Sequence, residues 1–174
     1  VACCDDSVVV LSSNGRVFQS SIDSNRVVEF LPVEDLEDIE IVSVSGTNEH
    51  CLVVSKEGVV FARGSNECGQ LGLGKEILSN SSFTKVTSLA GHEIRAAYAG
   101  GYHSLFETNE GKILSCGSNF NGELLLSSGP GKDVYSPQET TIFDGASFCI
   151  AGDFVSTVFF GEGPPPNTPN MRIK

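Results

Sequence analysis

The chain is predicted to be all-β, a β-propeller of about three to four four-stranded blades that make a partial ring. Three observations predict this. A segment recurs without a gap at an offset of 53: Gly46-Thr47-Asn48-Glu49-His50 through Gly64-Ser65-Asn66, and Gly100-Gly101-Tyr102-His103 through Gly117-Ser118-Asn119. In both copies the His precedes a Gly by eight positions, and that Gly precedes a Gly-Ser-Asn by six. Within each copy, short β-branched runs flank turn residues ending in Gly, the signature of a β-hairpin. No convincing long helix interrupts them, and four short strands in a period of roughly 50 residues describe a propeller blade better than a solenoid turn.

Taken in order, residues 2–45 form a degenerate copy. Val8-Val9-Val10-Leu11, Ser13-Asn14-Gly15 and Arg16-Val17-Phe18 keep the hairpin, but Ser7 stands where the His belongs and no Gly-Ser-Asn follows. Residues 46–99 and 100–151 are the strong copies. In the first, His50 to Ser55 is strand-like, Lys56-Glu57-Gly58 supplies the turn, and Val59-Val60-Phe61-Ala62 is strand-like again. In the second, Ser104 to Thr108, Asn109-Glu110-Gly111 and Lys112 to Ser115 repeat the pattern. Glycine suits the last turn position because it reaches positive φ without a Cβ clash. Each copy then runs through a Gly/Asn-rich loop and a polar stretch to a last apolar strand, such as Ile94 to Ala99. Residues 152–163 begin one more copy, so the anchoring glycines Gly15, Gly58, Gly111 and Gly163 are 43, 53 and 52 apart. Residues 164–174, opening Pro164-Pro165-Pro166, read as a Pro-rich tail or linker, because proline removes ladder donors.

Composition narrows the function classes. With 174 residues and 40% apolar content the chain can bury a core. A net charge of −11 argues against phosphate-backbone binding and favours encounter with basic protein surfaces. No direct nucleic-acid partner and no membrane association are expected, since nothing approaches the roughly 18 apolar residues of a span. The first residues lack the features of a signal peptide, so a cytoplasmic or nuclear location is expected. The six cysteines lack paired CxxC spacing and read as small apolar residues, and Asn80-Ser81-Ser82 reads as an incidental sequon. Starting at Val1 and entering a repeat at once, the chain reads as a fragment, a processed chain or part of a longer one.

The string Gly64-Ser65-Asn66-Glu67-Cys68-Gly69-Gln70-Leu71-Gly72-Leu73-Gly74, with Ala99-Gly100-Gly101-Tyr102-His103-Ser104-Leu105 and Gly111, resembles the repeats of the regulator of chromosome condensation family. The resemblance covers residues 2–163 and is strongest over 46–126. It implies a propeller of that family's type, whose members usually have seven blades and so need about 350 residues; this chain holds about half. The second copy has Glu123-Leu124-Leu125-Leu126 in place of Gln-Leu-Gly-Leu, and Arg63 and Cys116 occupy the place of a common aromatic. The absence of tryptophan excludes the family's ultraviolet-sensing branch.

No catalytic residue, cofactor or metal site is expected. His50 and His103 recur once per copy, so each is read as a half-buried imidazole tying loop backbone together, with Gly58, Gly64, Asn66, Gly111, Gly117 and Asn119 as the other structural positions of the repeat. His92 lies outside an HExxH pattern, and Lys75 is followed by Glu76 rather than the Ser/Thr of a phosphate loop. The acidic run Glu34 to Glu40 reads as a solvated loop with Leu36, Ile39 and Ile41 turned inward; the alternative is an acidic lip for a basic partner.

Propellers carry function on rim loops, which makes Asn48, Glu49, Glu67, Cys68, Tyr102, Phe120, Asn121, Asp153 and Phe154 the candidate protein-binding positions. The expected function is a non-catalytic protein-interaction platform. The resemblance implies an alternative: guanine nucleotide exchange on a Ran-type or other small GTPase, with Glu67 matching one acidic loop position and Phe120 standing at its counterpart. Open sheet edges at both ends are expected to be covered by a second copy in a homodimer or by further polypeptide.

Overall fold

A computed structural model describes residues 1–4, 7–23, 26–140, 148–153 and 155–159. Gly163, the Pro-rich segment 164–174 and the candidate Phe154 lie outside the described residues. Three four-stranded antiparallel sheets follow one another along the chain. The first holds β1 (Ala2–Cys4), β2 (Ser7–Leu11), β3 (Val17–Asp23) and β4 (Arg26–Pro32). The second holds β5 (Ile41–Gly46), β6 (His50–Ser55), β7 (Val60–Ser65) and β8 (Ser79–Lys85). The third holds β9 (Ile94–Ala99), β10 (His103–Thr108), β11 (Ile113–Gly117) and β12 (Val134–Glu139), and a hairpin of β13 (Phe148–Ala151) and β14 (Ser156–Phe159) begins a fourth. In each sheet the strands lie in chain order, the meander of a propeller blade.

The second strand of a blade explains how the sheets stack. All six residues of β6 are buried. Side chains alternate between the faces of a strand, so Cys51 and Val53 join the core shared with the first blade while Leu52 and Val54 join the core shared with the third. The first of these cores adds Val9, Val17, Leu36 and Ile41; the second adds Leu71, Leu89, Ile94, Phe106 and Leu114. A leucine or phenylalanine fully removed from water there contributes roughly 1.5–3 kcal/mol.

Backbone bonds fasten consecutive blades at one rim. The Ile41 N–H donates to the Gly15 carbonyl at 2.9 Å, and the Ile94 N–H to the Gly58 carbonyl at 3.1 Å. Gly58 sits at φ +74, and a Cβ on it would lie 3.0 Å from the Ile94 nitrogen, so both its conformation and its contact require glycine. This hairpin rim also carries the acidic run. A 3-10 turn over Glu34–Leu36 buries Leu36 beside Ile41, as the matching turn over Thr87–Leu89 buries Leu89. The run is more than a solvated loop, because Asp35 accepts a hydrogen bond from the Phe83 N–H at 3.0 Å, Glu40 pairs with Lys56 at 2.9 Å and Glu37 with Arg16 at 3.5 Å.

The sheets are out of phase with the sequence period by one strand. Ile94 to Ala99 closes the copy 46–99 in sequence, yet as β9 it pairs with β10 and opens the next blade. The outer strands β8 and β12 fall in the stretches that read only as polar; of Ser79–Lys85, Phe83 alone is buried.

Candidate protein-binding rim

Antiparallel order brings the start of β6, the end of β7, the start of β10 and the end of β11 to the rim opposite the hairpin turns. The loops there are long because the Gly-Ser-Asn asparagines organise them. Buried Asn66 accepts from the Leu71 N–H at 2.8 Å and donates to the carbonyls of Gly74 and Ile77 at 2.9 and 2.6 Å. Asn119 repeats this with the Leu124 N–H at 3.2 Å and the Gly129 carbonyl at 2.9 Å. Gly64 and Gly117 (φ +114 and +112) let the strand ends pass within 2.4 Å, measured from an added Cβ, of the Glu49 and Tyr102 carbonyls. The turn glycine Gly111 has φ +81.

Eight of the nine rim candidates can be placed. Asn48, Glu49, Tyr102 and Asp153 line one open depression of about 430 Å³, with Thr47 and Gly101. Glu67 is exposed and its carbonyl accepts from the Tyr135 hydroxyl at 2.9 Å. Cys68 is half-buried; burial first, then the charges of Asp133, Glu67 and Glu49, push its thiol up. Phe120 is 74% exposed. Asn121 donates from its backbone and side-chain nitrogens to the buried Glu123 carboxylate at 2.9 and 2.8 Å. Burial and then Glu123 raise Asp133. Glu123 and Asp133 are rim acids that the sequence reading missed, because their burial depends on how the long loop after β11 folds back.

The rim is rich in carboxylates, with Lys75 over the Tyr135 ring and exposed Lys132 beside them. Among the described residues the ion pairs are Arg16–Glu37, Lys56–Glu40, Arg95–Glu107 and Lys112–Glu139, and all four lie toward the hairpin rim. Glu49, Glu67, Glu123, Asp133 and Asp153 belong to none of them.

His50 and His103 sit beneath this surface rather than on it. They are fully buried, and each bonds a side chain of the following blade rather than loop backbone: His50 Nε2 lies 2.8 Å from Ser104 Oγ, and His103 Nε2 lies 2.9 Å from Ser156 Oγ. The first contact has the distance of a nucleophile–base pair but not its proton. Ser104 donates its one hydrogen to the Gln70 carbonyl at 2.6 Å, so the imidazole must be the donor and cannot take a proton from the serine. Burial, with the charge of His103 second, holds His50 down at about 3, and burial holds His103 below its ordinary value against Glu123. Among the described residues, no group of three or more His, Cys, Asp or Glu side chains is arranged to hold a metal and no helix is long and apolar enough to cross a membrane.

Fold and rim together define a class: a β-propeller repeat protein whose buried polar side chains build the blades and whose long loops form one rim. The profile of the "Regulator of chromosome condensation (RCC1) repeat" matches residues 57–106, and a second profile of that repeat matches 41–70 and 94–123. Residues 41–123 of the chain are therefore repeats of this family. It is 37% identical over 137 residues to the human "Probable E3 ubiquitin-protein ligase HERC6", covering 73% of this chain and 13% of that protein. It is 39% identical over 113 residues to the mouse "Secretion-regulating guanine nucleotide exchange factor", covering 64% of this chain and 24% of the relative. The chain therefore spans a quarter or less of these relatives. The solved structure of Prp20p from Saccharomyces cerevisiae, described with its binding to Gsp1p and histones, superposes with a TM-score of 0.72 at 15% identity over 86% of this chain and 40% of that one.

Proposed function

We propose that this chain is a non-catalytic protein-interaction platform that receives a basic protein surface on its acidic loop rim. One observation carries the reading: the accessible rim carboxylates Glu49, Glu67, Asp133 and Asp153 stand outside every ion pair of the described residues, with exposed Tyr102 and Phe120 among them. Aromatic side chains amid a majority of negative charges suit a protein interface, the rings supplying area and the charges steering the encounter. A net charge of −11 extends that steering field and sets it against nucleic acid.

Nucleotide exchange on a small GTPase is the second reading, favoured by the similarity to a guanine nucleotide exchange factor. A binding titration with a Ran-type GTPase, nucleotide-free and GTP-loaded, separates the two. A platform binds both forms alike, whereas an exchange factor holds the nucleotide-free form and is released by GTP. In either case Glu49→Lys/Glu67→Lys/Asp153→Lys should weaken a basic partner at least tenfold without changing the thermal midpoint. Unchanged binding by that variant would sink the acidic-rim reading.

A further inference from the structure

The junction between the first and second blades is built differently from the next two. Those carry the pairs His50–Ser104 and His103–Ser156. At the first junction Ser7 holds the histidine position and Cys51 the serine position. Ser7 turns its hydroxyl away, donating to the Cys4 carbonyl at 2.9 Å and accepting from Arg63 at 3.1 Å. The Cys4 side chain fills the space. Its sulfur lies 2.1 Å from where a Cβ on Gly46 would stand, so no side chain at residue 46 could share that position. Gly46 is in turn the cross-strand neighbour of Cys51, and Cβ positions in such pairs lie about 4.5–5.5 Å apart. Both cysteines are buried, at 2% and 0% exposure, in the same core cluster. The Cys4 side chain, first, and burial push the Cys51 thiol up.

We infer that Cys4 and Cys51 are an oxidative modification site, a latent disulfide that fastens the first blade to the second and forms by exchange with a low-molecular-mass disulfide. The thiolate of one cysteine attacks the small disulfide, forming a mixed disulfide and releasing one small thiolate. The second cysteine, deprotonated, attacks the protein sulfur of that mixed disulfide and expels the other small thiolate. Two protein thiols thereby lose two electrons and two protons, and the reagent is reduced to two thiols that carry them. The Cys4 side chain and burial keep the Cys51 thiol protonated in the closed junction. Exchange therefore belongs to chains whose junction has opened, as it does during folding. Cys116 is buried in the other core cluster, and Cys3 is exposed.

The test is to unfold the reduced chain in urea and refold it at pH 8 over glutathione and glutathione disulfide. The products are quenched in acid and mapped by mass spectrometry without reduction. The expected result is a Cys4–Cys51 link as the main disulfide, with a thermal midpoint raised by about 10 °C and restored by dithiothreitol. Cys3→Ser and Cys68→Ser should leave the link in place, and Cys4→Ser and Cys51→Ser should each remove it. A scrambled set of links, glutathione adducts alone, no oxidation at either residue, or a link that lowers the midpoint would overturn the inference. If the Cys4 and Cys51 variants fail to refold, the map of the unsubstituted chain decides.

Discussion

The hydroxyl of Ser104 has one proton, and its donation to the Gln70 carbonyl makes the His50 contact a strut between blades. The same burial has a pH signature. An imidazole held below its unfolded value of about 6.5 contributes stability in full above pH 6.5 and loses it as pH falls toward the folded value near 3. The unfolding free energy from urea titration should therefore be flat from pH 8 to 7 and fall below 6.5, by roughly 1 kcal/mol per pH unit from His50, and His50→Gln should flatten that slope. The recurrence of the histidines was legible in the sequence. Their partners were not, because each serine lies in the following blade, more than 50 positions away. A second residue-scale contrast separates the two strong copies. Gly72 has φ +68, and Leu125, 53 positions on, keeps φ +56 without being glycine. An added Cβ at Gly72 would lie 2.9 Å from Pro137 Cδ. Gly72→Ala should cost about 2–4 kcal/mol from left-handed strain and overpacking, whereas Leu125→Gly should stay within about 1 kcal/mol of the unsubstituted chain, as relief of strain offsets lost contacts. Urea unfolding of both variants checks this.

At the scale of the element, the Gly-Ser-Asn loop is held by its own asparagine. Asn66 makes three hydrogen bonds from a fully buried position and Asn119 two. Asn66→Ala should cost about 3 kcal/mol and Asn119→Ala about 2, since buried backbone groups are left without partners; thermal denaturation gives the ranking. The inner hairpins were legible because β-branched runs and a closing glycine mark them. The outer strands β8 and β12 were not. Exposed along most of their length, they need no apolar alternation, and polar Ser79–Lys85 therefore looks like loop until it is seen hydrogen-bonded to β7.

At the scale of the molecule, blades touch only their neighbours, so stability should be graded along the chain. The core between the second and third blades is the larger of the two main clusters and is walled by β6, β7, β9, β10 and β11. Hydrogen exchange should be slowest in those five strands and faster throughout the first blade. Uniform protection in all three blades would contradict this. The acidity of the rim was only partly legible. Glu49, Glu67 and Asp153 stand in loops that the repeat marks, but which carboxylates are paired depends on which end of each strand a cation reaches, and the sequence does not order those ends.

The one-strand offset between sequence period and sheet bears on how such a chain lengthens. A duplicated sequence unit brings the second, third and outer strands of one blade together with the opening strand of the next. Each added copy is therefore stitched into two sheets at once. A gene that gained or lost one unit would keep every blade at four strands, and a cut made at residue 46 or 100 would strand β5 or β9 away from its own sheet. Pieces intended to fold alone should be divided within 33–40 or 86–93, where one sheet has ended and the next has not begun.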